Sequence, residues 1–112
     1  MNAGEHAEKI AAGYLAKKGL TLIEMNYRCR WGEIDLVLRD RGTIVFAEVR
    51  LRRSQNFGGA AYSVDRRKQA RIIAAARHYL AGKQDAPCRF DVVLLASLEP
   101  SRIEWVRDAF SA

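Results

Sequence analysis

The chain has 112 residues, with 19 Lys and Arg against 13 Asp and Glu, a formal charge of +6 and a pI near 9.7. That length suits one domain spanning residues 1–112 with a modest core. A hydrophobic share of 49% excludes a disordered chain, and no apolar run is long enough to span a membrane.

Residues 1–9 lack the charged-then-apolar order of a signal peptide, so a cytoplasmic protein with no membrane partner is expected. The basic balance favours an anionic partner, and nucleic acid comes first. Cys29 and Cys88 stand far apart and outside any C-x-x-C, which argues against a zinc site or a disulfide framework. Buried or half-buried free thiols are expected.

Residues 3–18 predict a helix, because Ala7, Ile10, Ala11, Tyr14 and Leu15 recur at helical spacing. Lys17 and Lys18 suit its C-terminal dipole, and Gly19 is a ready C′ residue. Glu5 and Glu8 lie on neighbouring turns, where acids near a helix N-terminus are ordinary. Residues 20–25 predict a strand and residues 26–31 a polar, aromatic bend.

A β-hairpin follows. Two apolar runs, 34–38 and 43–49, flank the polar turn Asp40-Arg41-Gly42, where Gly42 suits a positive φ. With Arg41 and Gly42 as the central turn residues, Asp35 falls opposite Glu48 and Glu33 opposite Arg50. Alternation then puts Glu33, Asp35, Glu48 and Arg50 on one face with Val37, Ile44 and Phe46. Opposed carboxylates repel, so a basic side chain or a bound cation is expected between them. The alternative is a Glu33–Arg50 salt bridge with the other acids on a solvated face.

Residues 51–62 predict a long loop, a kind of segment that is usually functional. Asp65 is a plausible N-cap for a second helix through about residue 81, with Ile72, Ile73, Ala76, Tyr79 and Leu80 as its apolar face. Its first turns carry Arg66, Arg67, Lys68 and Arg71 against the dipole, which suggests phosphate binding; a solvated face is the plain alternative. Gln69 is a further polar candidate, and His78 a packing or surface residue. Residues 89–96 predict an apolar strand and residues 102–106 a short edge strand. The order α-β-β-β-α-β-β implies a mixed sheet flanked by helices, an α/β or α+β fold.

The motifs G-E-I-D-L-V (32–37), F-A-E-V-R (46–50), F-G-G-A (57–60), V-D-R-R-K-Q (64–69) and R-F-D-V-V (89–93) together resemble the YraN-like family of small bacterial proteins. The resemblance runs over nearly the whole chain, beginning at A-E-K-I-A-A-G-Y-L (7–15). It implies a restriction-endonuclease-like fold similar to that of Holliday-junction resolvases, with an active site written D…(D/E)-x-K. Carried across, Asp35 is the first acid and Glu48 the second. Val49 is the x position, whose carbonyl can complete a metal shell, and Glu8 matches the glutamate of the first helix. The residue before Glu8, usually glycine in the family, is Ala7 here.

The implied cofactor is Mg²⁺ or Mn²⁺, held by Asp35, Glu48 and Val49. The implied catalytic set is Glu8, Asp35, Glu48 and Arg50, where Arg50 replaces the usual lysine. Arginine keeps the charge but does not readily shed a proton. Arg52, Arg53, Arg66, Arg67, Lys68 and Arg71 would grip nucleic acid, DNA ahead of RNA, mainly through phosphates.

The leading expectation is a metal-dependent endonuclease acting on DNA, including branched or damaged forms. A non-catalytic nucleic-acid-binding protein on the same scaffold is the second. An interaction module for acidic proteins is the third. Oligomeric state is open; resolvase-like proteins often work as homodimers.

Overall fold

The structure is a computed structural model that describes residues 2–51, 64–83, 85–98 and 102–112. Its elements are α1 (Ala3–Lys17), β1 (Thr21–Cys29), β2 (Gly32–Asp40), β3 (Thr43–Leu51), α2 (Arg66–Leu80), β4 (Cys88–Leu95) and β5 (Ile103–Phe110). The strands form one mixed sheet in the order β1-β2-β3-β4-β5. Among the described strands only β3 and β4 pair in parallel, joined by the crossover through α2. The expected order α-β-β-β-α-β-β is therefore the observed one.

Local chemistry sets the helix ends. The Asn2 side chain accepts the Glu5 N–H at 2.9 Å and starts α1. Gly19, at φ 98°, stops it, and the Leu20 N–H closes back on the Leu15 carbonyl at 3.1 Å. Asp65 caps α2 as expected, accepting the Lys68 N–H at 2.8 Å. Gly82, at φ 77°, lies just beyond its end.

The helices cover opposite faces of the sheet. Against α1 pack Leu36, Leu38, Val45, Ala47, Val93 and Leu95, meeting Ala7, Ala11 and Leu15. Against α2 pack Val37, Ile44, Phe46, Phe90, Val92 and Leu94, meeting Ile72, Ala75, Ala76 and Tyr79. Alternate residues of β3 and β4 thus serve both cores, and V-V-L-L (92–95) reads as a continuous apolar run because both its faces are buried. Phe46 anchors the α2 side, edge-on to Tyr79 at 5.8 Å and stacked with Phe90 at 5.6 Å. Its truncation to alanine would cost about 3–5 kcal/mol. Among the described residues no helix is long and apolar enough to cross a membrane.

Several boundaries differ from expectation. Residues 26–29 are not a bend but continue β1. Most of this edge strand is exposed, so its polar residues carry no burial period. β5 likewise runs on to Phe110, past the expected residue 106. At the β2–β3 turn the left-handed residue is Arg41, at φ 58°, and not Gly42. Cys29 is half-buried as expected, but Cys88 is exposed at the start of β4. All of the expected loop from residue 52 to its end lies outside the described residues, and with it Arg52 and Arg53.

The hairpin register is the expected one. Leu36 pairs with Ala47, Val37 with Phe46 and Asp40 with Thr43. The paired stretch ends at Leu36 and Ala47, just before the acids. There β1 and β2 roll over together. Met25 packs on the α1 side and Tyr27 on the α2 side, although they are two residues apart. Their partners Leu36 and Ile34 divide in the same way. Asn26, at φ 56°, sits at the switch on β1, and Asp35 sits at the switch on β2.

Candidate active site

Where β2 and β3 part, the Asp35 side chain bridges the gap. Its Oδ2 accepts the Val49 N–H at 2.8 Å. Val49 thus presents its N–H to Asp35, fixing the carboxylate beside Glu48. Glu48 is only 4% exposed, an unusual position for an acid. Two cations accompany it: Lys68 Nζ lies 3.5 Å from Oε2, and Arg50 Nη1 lies 3.6 Å from the same oxygen. Positive charge stands beside Glu48, from β3 itself and from α2.

Burial, and then the nearby Glu48 carboxylate, push Asp35 from its ordinary 3.8 up to about 7. The two carboxyl groups are close enough to share a hydrogen bond, while the Lys68 charge pulls the other way. Glu8 reaches the same point from α1. Burial raises its pKa; the Asn26 side chain hydrogen-bonds it and opposes that shift, and Asp35 and Glu33 add to it. Glu8 Oε1 is buried with no hydrogen-bond partner among the described residues. A polar concavity of about 490 Å³, bounded by Asn2, Glu5, Glu8, Asn26 and Arg28, opens beside it.

The result is a polar seam through the sheet: Glu8 on α1, Asp35 on β2, Glu48 on β3 and Lys68 on α2. Glu33 is not part of it. The roll at Asn26 and Asp35 turns Glu33 away from Arg50, and it pairs with Arg28 at 3.2 Å. The expected common face for Glu33, Asp35, Glu48 and Arg50 holds only for the last three.

Lys68 stands inside the seam, whereas Arg66, Arg67 and Arg71 are exposed on α2. Gln69 Nε2 donates to the Val64 carbonyl at 2.8 Å, so its amide is engaged in closing the start of the helix. His78 is exposed and hydrogen-bonds the Tyr27 hydroxyl. The contact of Lys68 with Glu48 has one trace in the sequence, a lysine three residues after a helix cap, and nothing there says which strand it meets.

The donors suit a hard cation. Asp35 and Glu48 offer carboxylate oxygens, and Glu8 Oε1 is an acceptor left unmet among the described residues. Among the described residues no three His, Cys, Asp or Glu side chains are arranged to hold an ion by themselves. An ion there would take one or two carboxylates and fill its shell with water and backbone oxygen, the habit of Mg²⁺.

A mixed five-stranded sheet between two helices, with an acid on each strand of its central hairpin, defines the class as an α/β protein. The sequence comparisons place it more closely. The model for the uncharacterised protein family UPF0102 matches residues 7–95, and the chain belongs to that family, the YraN family. It is 56% identical over 110 residues to a UPF0102 protein of Nitrosomonas europaea, covering 97% of this chain and 93% of that one. A UPF0102 protein of Methylobacillus flagellatus is 51% identical over 109 residues, covering 97% and 96%. One of Cupriavidus taiwanensis is 52% identical over 111 residues, covering 97% and 82%.

Proposed function

We propose that this protein is a divalent-metal-dependent endonuclease that hydrolyses phosphodiester bonds of DNA, branched or damaged structures included. The observation that carries this reading is the meeting of Asp35, Glu48 and Lys68 at the parting of β2 and β3. A buried carboxylate beside a half-buried one is costly unless the pair has a cation to hold.

Asp35 and Glu48 would hold Mg²⁺ or Mn²⁺, with the Val49 carbonyl and Glu8 as further oxygen donors. When bound, the ion relieves charge on the phosphate and acidifies water. Lys68 and Arg50 bring an ammonium and a guanidinium to the same carboxylate oxygen, where they offset charge that builds on the phosphate oxygens. Water attacks phosphorus, the ester bond to the leaving oxygen breaks, and that oxygen takes up a proton. Arg66, Arg67 and Arg71, exposed on the helix that carries Lys68, supply phosphate contacts that place the strand without reading its bases.

One observation favours a second reading, a non-catalytic nucleic-acid-binding protein. Arg50 and Lys68 already neutralise Glu48, and a carboxylate so compensated has less need of an ion. A cleavage assay on single-stranded, duplex, flap and four-way-junction DNA separates the two. It uses Mg²⁺ or Mn²⁺, an EDTA control, and Asp35→Ala and Glu48→Ala alongside. Metal-dependent cutting that both variants lose supports the nuclease. Tight, salt-sensitive binding without cutting supports the binder.

A further inference from the structure

The opposite end of the sheet holds a second concentration of charge. Asp40, in the β2–β3 turn region, lies five residues beyond Asp35 on β2, about 16 Å along the strand. Beside that turn is a polar concavity of about 570 Å³, whose lining includes Lys18, Asp40, Arg41, Arg89 and Arg107. The four cations come from the end of α1, the turn, β4 and β5.

Most of the rim is held by a continuous chain of contacts. Lys18 Nζ lies 5.4 Å over the Tyr14 ring, and Tyr14 meets Trp105 edge-on at 6.4 Å. The Arg107 guanidinium lies 4.2 Å over Trp105. Trp105 Nε1 donates to the buried Asp91 at 2.9 Å, and Asp91 accepts from Arg89 Nε at 3.0 Å. Arg89 Nη1 then donates to Asp40 at 2.9 Å. The lining has a single carboxylate, Asp40, and Arg89 already occupies it. Among the described residues no carboxylate lies in ion-pair range of Lys18, Arg41 or Arg107.

Arg41 adds a second kind of evidence. At φ 58° it holds a left-handed conformation, which strains a residue with a side chain and which glycine adopts freely. A tight hairpin turn calls for a left-handed residue, and this chain places an arginine there, at the rim of the concavity, although a glycine stands next to it in the turn. Arg89 Nη2, in the same network, is a buried donor with no partner among the described residues.

We propose that this concavity is a phosphate-binding site, distinct from the carboxylate seam. Three of its cations, Lys18, Arg89 and Arg107, are held by ring or carboxylate contacts before any ligand arrives, so less side-chain freedom is lost on binding. Arg41 and Arg107 present planar guanidinium groups suited to two-point contact with phosphate oxygens. The phosphates belong to a nucleic-acid backbone or to a free phosphate compound, and the test tells these apart.

The full-length protein is compared with the variant Arg41→Gly/Arg107→Gln. Glycine suits the backbone at position 41, so the variant is expected to fold normally, which far-UV circular dichroism and its melting temperature check. Each protein is melted with and without inorganic phosphate or pyrophosphate, at constant ionic strength set with chloride. Each is also titrated with single-stranded and duplex oligonucleotides over a range of salt. A phosphate- or pyrophosphate-induced rise in melting temperature that the variant loses assigns free phosphate compounds. Oligonucleotide affinity that falls on the order of tenfold, with a salt slope reduced by about two, assigns the polymer backbone. Wild-type protein that binds none of these probes, or a variant that binds all of them unchanged, overturns the proposal. No readout involves cutting, so the site stands or falls independently of the nuclease reading.

Discussion

Lys68 Nζ and Arg50 Nη1 approach one oxygen of Glu48, at 3.5 and 3.6 Å, from different elements and with different chemistry. The ammonium is a compact charge on a flexible stem, and the guanidinium is planar and always protonated. Lys68→Ala is expected to slow single-turnover cleavage about 100-fold, the usual loss for a donor that stabilises charge in the transition state. Arg67→Ala should instead weaken binding and flatten its salt dependence, leaving the saturated rate nearly unchanged. Rates at saturating enzyme, with affinities measured separately, distinguish the two outcomes.

Arg50→Lys tests the departure from the D…(D/E)-x-K pattern. Lysine keeps the charge beside Glu48, and the expected result is cleavage at or above the parent rate. A sharp loss under the same conditions would give the guanidinium a role of its own.

Asp35 carries a consequence for stability. Its folded-state value is raised to about 7, by burial first and by Glu48 next, so the folded protein keeps a proton that the unfolded chain releases near its ordinary 3.8. The contribution of Asp35 to stability is therefore fully present below about pH 4, falls as pH rises toward about 7, and levels off above, by a few kcal/mol at most. Asp35→Asn should flatten that window in urea melts. If Mg²⁺ binds here, it should stabilise the protein more near pH 8 than near pH 5, because binding requires the deprotonated acid.

Gly32 opens β2 against the backbone of α2. A Cβ there would lie 2.7 Å from the Arg71 carbonyl oxygen, closer than such atoms pack. Gly32→Ala should cost about 1–3 kcal/mol in chemical denaturation. It should also lower cleavage, because the clash pushes away the helix that brings Lys68 to Glu48.

The sequence allowed the hairpin to be read because its register follows from one short turn and a two-residue alternation. That placed Asp35 and Glu48 together and put charge beside them. It could not disclose that Glu33 leaves the group, since the cause is a left-handed Asn26 on the neighbouring strand. Lys68 was visible as a basic residue early in a helix. Its partner depends on how α2 docks across the sheet, which no local period encodes. The end of β1 is hidden for a simpler reason: an exposed edge strand carries Glu24, Asn26 and Arg28 and reads as a bend.

The single parallel pair, β3 with β4, also bears on how the protein folds. β1, β2 and β3 form an antiparallel meander whose turns close locally, while β4 must wait for the chain to cross through α2. Local closure would bring Asp35 and Glu48 together before Lys68 arrives. Until α2 docks, the acids would face each other with Arg50 for relief. Refolding should accordingly be faster near pH 5 than near pH 8 in stopped-flow experiments, and Asp35→Asn should remove most of the difference. The residues proposed for the chemistry would then also set the pace of assembly.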